Sequence, residues 1–188
     1  MTSAKPTKPK IIITLLFGVA AFLVIFLKIH INIFGNQVTM DPGEIFITLG
    51  AFFTGIPGAA VIAVFRSIGS FLHLQPGIAA ASFAAHLAGA LFIALFCRLI
   101  RNRREHPFYQ FFLWAGAVIM YYYAFLILIF NAVSFFFVRT VYLQNFGGET
   151  HFWKIYTAIG ISVIPEVIYT FFFTTAVFFL LPKRYRGA

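Results

Sequence analysis

A mostly apolar stretch of thirty-odd residues, Asp41 to Gly77, is broken in its middle by Thr54-Gly55-Ile56-Pro57-Gly58, and this break constrains the chain more than any other feature. Glycine permits backbone angles closed to other residues, and proline cannot continue an incoming helix. The run is therefore either one bent helix or two short helices folded against each other. The choice fixes the side on which every later segment emerges. The flanking segments exceed the roughly 18 apolar residues that mark a bilayer span. With 61% hydrophobic and only 10% charged residues, the chain lacks the polar surface of a soluble domain of 188 residues. It reads as an all-α, polytopic membrane bundle forming a single domain.

Taken in order, the chain predicts a basic tail (1–10), a helix over 11–28 and a polar loop, HINIFGNQVTM. Asp41 reads as an N-cap, Pro42 as the first helical residue and Glu44 as the capping-box partner, opening a helix over 42–54. Further helices are expected over 57–72, 78–100, 111–138 and 155–181. The fourth is rich in small residues (AAASFAAHLAGA), which favours close helix packing. The run at 11–29 is long for a signal h-region and no small-x-small cleavage pattern follows it, so it reads as a retained helix.

Charge decides between the two forms of the break. With a bent helix there are five spans, and the loop holding Arg98, Arg101, Arg103 and Arg104 falls opposite the Lys5/Lys8/Lys10 tail. With a hairpin there are six, and those groups share one side with Lys183, Arg184 and Arg186, leaving Lys28, Arg139 and Lys154 on the other. The positive-inside rule selects the hairpin, with both termini cytoplasmic, in a bacterial or archaeal inner membrane. Helices two and three are then short, about 20 and 25 Å, and belong inside the bundle, where protein surrounds their ends. The net charge of +9 is the Lys/Arg excess of cytoplasmic loops rather than a nucleic-acid face.

An ionisable side chain inside a membrane marks function by default. Three are expected here, Arg66, His86 and Glu166, each about 12–17 Å from a helix end and so at similar depth. Arg66 and Glu166 form the obvious pair, read either as a packing ion pair or as part of a ligand site. Pro165 frees a carbonyl near Ile161, as an ordinary kink or as a cavity lining. Asn131, Asn36, Gln37 and Trp153 are further candidates on the outer side, with Trp153 and Tyr156 also fitting an interfacial aromatic belt. The run Tyr121-Tyr122-Tyr123 points around its helix, so that at most one or two of the three can face a cavity. His73 and His151 lack metal-ligand spacing, Cys97 is alone, and no nucleotide-binding or hydrolase motif occurs. No cofactor, metal or enzymatic activity is expected, and any transport requires energy from another chain.

The six spans, the polar loop after the first and the stretch DPGEIFITLGAFFTGIPGAAV resemble the substrate-binding S component of energy-coupling factor (ECF) transporters. The resemblance implies a vitamin-type ligand near the outer side, capped by the loop after helix one. It also implies a coupling membrane protein and two ATPase subunits as partners, with Gly18 and Ala21 on helix one as docking candidates. Gly18, Ala20 and Ala21 are small but form no clean Ala-x-x-x-Ala, since Phe22 and Val24 fall at the spaced positions. The stretch FRSIGSFLHLQPGIAAASFAAHLAGALF is also similar to the membrane receptor module of LytS-type sensor kinases, which implies a ligand sensor. Against that, the sequence ends seven residues after helix six, with no output domain. A structural envelope protein of MreD-like type is the third reading.

Overall fold

The computed structural model describes residues 8–27, 29–33, 36–74, 76–102, 107–140, 143 and 148–180. Helix α1 (Lys8–Val24) is followed by two antiparallel strands, β1 (Ile29–Ile33) and β2 (Asn36–Met40), in register from Ile29↔Met40 to Ile33↔Asn36. The polar loop expected there is thus a small β-hairpin, the one departure from an all-helical chain among the described residues. Helix α2 (Gly43–His73) and α3 (Pro76–Asn102) follow. A long helix then comprises α4 (Pro107–Met120), a π-helical segment (Tyr121–Ile127) and α5 (Leu128–Phe137). The chain closes with α6 (Phe152–Ser162) and α7 (Ile164–Leu180).

Helix α2 is not straight. At Gly55 the backbone takes φ 72° and ψ −164°, a conformation essentially restricted to glycine. The two arms, 43–54 and 56–73, then lie side by side. A Cβ at Gly50 would overlap the Ile62 side chain, and Asp41 forms an ion pair with Arg66. In a straight helix residues 41 and 66 stand about 37 Å apart, and even a right-angle bend at Gly55 leaves them roughly 26 Å apart. The chain therefore doubles back.

Helix α1 packs along both arms. Its Phe17 meets Phe46 and Phe53 of the first arm (ring centroids 6.1 and 6.0 Å), and Phe65 of the second lies over Gly18. Gly18 and Ala21 are consequently buried within the chain, Ala21 completely. This corrects their reading as a free docking patch. The exposed apolar face of α1 is instead Ile11, Ile12, Leu15, Leu16, Val19 and Leu23.

The core runs through α2, α3, α4 and the π segment (Ile47, Ile62, Ile93, Val118, Tyr121, Tyr122), with Phe92 of α3 stacked on Phe125 at 4.4 Å. Hydroxyls survive in these apolar helices by bonding their own preceding turn: Thr48 Oγ1 donates to the Glu44 carbonyl and Ser67 Oγ to that of Ala63, at 2.8 and 2.7 Å. Among the described residues three helices are long and apolar enough to cross a membrane: Gly43–Leu72, Pro76–Leu99 and Tyr109–Phe137. A fourth joins them if Phe152–Ser162 and Ile164–Val177, bent by 46°, act as one. The single last helix expected over 155–181 is thus broken at Val163, ahead of Pro165. Helix α1, at 17 residues, extends about 25 Å, short of the ~30 Å hydrocarbon thickness.

Candidate functional site

The first arm of α2 is only 12 residues long, about 18 Å, so its start is carried into the bundle rather than left at the rim. Glu44, which reads from sequence as the capping-box partner, is consequently a core group, while Asp41, which reads as the N-cap, is half-buried beside it. The Asp41 carboxylate joins the start of α2 to Arg66. Its Oδ1 accepts the Gly43 N–H at 2.9 Å, and its Oδ2 accepts from Arg66 Nη2. Glu44 turns inward and is 3% exposed: Oε1 lies 2.8 Å from His86 Nε2, and Oε2 accepts the Tyr121 hydroxyl.

Geometry fixes the protons of the Glu44–His86 pair. His86 Nδ1 lies 2.6 Å from the Ser82 carbonyl, an oxygen that only accepts, so Nδ1 carries hydrogen. The contact between Nε2 and Oε1 then holds one proton, whichever atom carries it. The pair adds no net charge to the core, which is how two ionisable groups are tolerated there.

Glu166 opens α7 directly after Pro165 and is 8% exposed. Tyr122 donates to it at 3.4 Å and shares a closer bond, 2.8 Å, with Thr170 Oγ1. Glu166 has no ion pair among the described residues. The expected Arg66–Glu166 pair is therefore not formed; Asp41 takes Arg66 because the α2 hairpin brings residue 41 beside it. Tyr169, from the next turn of α7, donates to the Asp41 carbonyl at 2.5 Å, tying α7 to the strand–helix junction.

The π segment determines which tyrosines reach this cluster. Its wider turn, with Leu128 N–H bonding the Tyr123 carbonyl, brings successive side chains closer to one face. All three tyrosines point to partners: Tyr121 to Glu44, Tyr122 to Thr170 and Glu166, Tyr123 to the Gly160 carbonyl at 2.9 Å. Regular α geometry directs only one or two of them inward.

Of the residues singled out from sequence, Arg66, His86 and Glu166 thus lie in one connected cluster, together with Asp41, Glu44, Tyr121, Tyr122 and Tyr169. Asn131 is fully buried but lies ten residues beyond Tyr121, about 15 Å along the same helix. Trp153 is 67% exposed and packs edge-on against Phe152 and Tyr156, as an interfacial aromatic does. Asn36 and Gln37 begin β2 opposite Ile33 and Asn32; their side chains lie outside the described residues, as does most of the basic tail. No group of three or more metal-ligating side chains occurs among the described residues. The signal missed in the sequence is arithmetical. The chain has five acidic residues, and three of them flank or interrupt apolar helices, so reading two as caps left the core short of counter-charge.

No protein-family model matches the chain, and neither a curated protein nor a solved structure is similar to it. The class that the fold and the cluster define is accordingly broad: a helical bundle, compatible with several membrane crossings, with ionisable side chains gathered in its interior.

Proposed function

We propose that the chain is a multi-pass membrane subunit that binds a small solute among α2, α3, the π segment and α7, in the manner of an ECF substrate-binding component. In this reading α1, the two arms of α2, α3, the long helix and the α6–α7 pair make six traverses, with both termini cytoplasmic. The bundle catalyses no reaction of its own. A separate coupling membrane protein and two ATPase subunits supply the energy, and the β-hairpin after α1 covers the outer end of the site.

One observation carries the proposal. Arg66 is 4% exposed, yet its Nε and Nη1 have no hydrogen-bond partner among the described residues, beside a cluster of buried carboxylates and tyrosines. A charge buried only to pack helices is expected to be fully bonded, because leaving donors unmade costs about 1–3 kcal/mol each. Unused donors on a mid-bundle arginine are what a binding site retains for a ligand. Native mass spectrometry of protein released gently from detergent tests this. A retained small molecule, lost in Arg66→Gln, is the expected result. An empty protein that co-purifies with a stable protein partner supports the sensor or envelope reading instead.

A further inference from the structure

We propose that the corner formed by Arg66 and the start of α2 is a binding site for the carboxylate of a small ligand, and that the Asp41 side chain fills it in the ligand-free protein. The inference rests on the solute-binding reading and names the group that the solute presents.

The corner has the parts of an anion site. Arg66 supplies a guanidinium, and Gly43 supplies the first N–H of α2, at the positive end of the helix. Asp41 uses both, but engages the guanidinium through Nη2 alone and leaves Nε and Nη1 without a partner among the described residues. Arginine characteristically grips a carboxylate through two parallel bonds. Gly43 is what allows the approach: a Cβ there would stand 2.9 Å from both Arg66 Nε and Asp41 Oδ1.

The two partners differ in access. The Arg66 side chain is 5% exposed and Asp41 32%. Asp41 also follows β2 directly, at the junction of the strand with α2. Its carboxylate can therefore swing toward the hairpin side while the guanidinium stays in place. Release of Asp41 also loosens the β2–α2 junction, coupling ligand binding to movement of the hairpin.

The charge balance selects the ligand class. Once Asp41 leaves, Arg66 offers a single positive charge, Glu44 being matched by His86, so a dianion leaves a negative charge uncompensated in the corner. A monocarboxylate that replaces Asp41 on Arg66 leaves the local charge unchanged. Phosphate dianion is disfavoured on that ground.

Acetate and benzoate are suitable probes, compared with inorganic phosphate and with chloride at matched ionic strength. The readout is the thermal unfolding midpoint of the full chain in detergent. The expected result is saturable stabilisation of the native protein by acetate or benzoate beyond that by chloride. Asp41→Asn keeps an oxygen for Gly43 while weakening the internal competitor, so it lowers the half-saturating concentration, roughly tenfold if Asp41 fills the corner most of the time. Arg66→Lys abolishes the effect; should that variant not fold, the Asp41→Asn shift alone decides. Carboxylates that act no differently from chloride on both native and Asp41→Asn protein overturn the inference, as does tighter binding of phosphate. A retained molecule without an acidic group in the mass spectrum removes this inference while leaving the solute-binding reading intact.

Discussion

Replacing Gly55 by alanine tests the reversal on which the cluster depends. The glycine sits at φ 72° and ψ −164°, and a Cβ built there meets nothing within 4 Å. The substitution therefore brings neither a clash nor a packing gain, and its whole cost is that of holding a side-chain-bearing residue in a region reserved for glycine. That cost is about 1–3 kcal/mol. Gly116 is the matched control, because it lies inside α4 and also has nothing within 4 Å of an added Cβ. There the same change stabilises by roughly 1 kcal/mol, the helix-propensity difference between glycine and alanine. The two variants should thus differ by about 2–4 kcal/mol, with opposite signs. SDS-induced unfolding in mixed micelles, followed by tryptophan fluorescence, measures both. Agreement of the two variants within about 0.5 kcal/mol would mean that Gly55 lies in ordinary helix, and the hairpin would be refuted.

Four further outcomes follow from the contacts. In a double-mutant cycle Arg66→Gln should couple to Asp41→Asn by 0.5–3 kcal/mol, roughly, while Arg66→Gln and Glu166→Gln combine nearly additively; strong coupling to Glu166 would sink the observed pairing. Tyr121→Phe removes a donor from a fully buried carboxylate and should cost about 1–3 kcal/mol by the same unfolding assay, where no loss would remove Tyr121 from the cluster. In a Cys97→Ala background, cysteines at Gly55 and Asn102 should react with an impermeant maleimide from the same side of the membrane, and labelling from opposite sides excludes six traverses. At the exposed start of α6, the Glu149 carboxyl is held below the ordinary glutamate range chiefly by the His151 N–H and less by Lys154. The stability from that depressed carboxyl is present above the ordinary glutamate value and is lost as pH falls through the folded one. Lys154→Ala should raise the carboxyl only part of the way in a carbon-detected NMR titration, and full recovery would assign the effect to the lysine.

Much of the bundle is legible in the sequence because hydrocarbon leaves a chain few options. Apolar length marks the helices, and the Gly-Ile-Pro-Gly break marks the turn of α2. Arg66, His86 and Glu166 stand out because a titratable group in an apolar run needs a reason. What stays hidden has local causes. Glu44 fits the helix-start pattern so well that pattern gives no hint of its burial, and Asp41 makes the expected bond to Gly43 while also pairing with Arg66; only the shortness of the arm reveals that its start is inside. The π segment leaves no mark in hydropathy, yet it turns Tyr121 and Tyr122 together toward the carboxylates. The β-hairpin is written in a polar stretch whose alternation, His30, Asn32 and then Gln37, Thr39, is too brief to separate from loop.

The arrangement of charges argues that the cluster is more than a packing device. A structural ion pair is most economical when both members are buried, fully bonded and distant from other charges. Glu44 and His86 come close to that condition, sharing a proton and adding the Tyr121 bond. Arg66 does not, since two of its three nitrogens have no hydrogen-bond partner among the described residues and its counter-ion is 32% exposed. The same bundle thus holds one pair closed and one pair open. Packing alone gives no reason for that difference, whereas a site in which Asp41 gives way to an arriving carboxylate requires it.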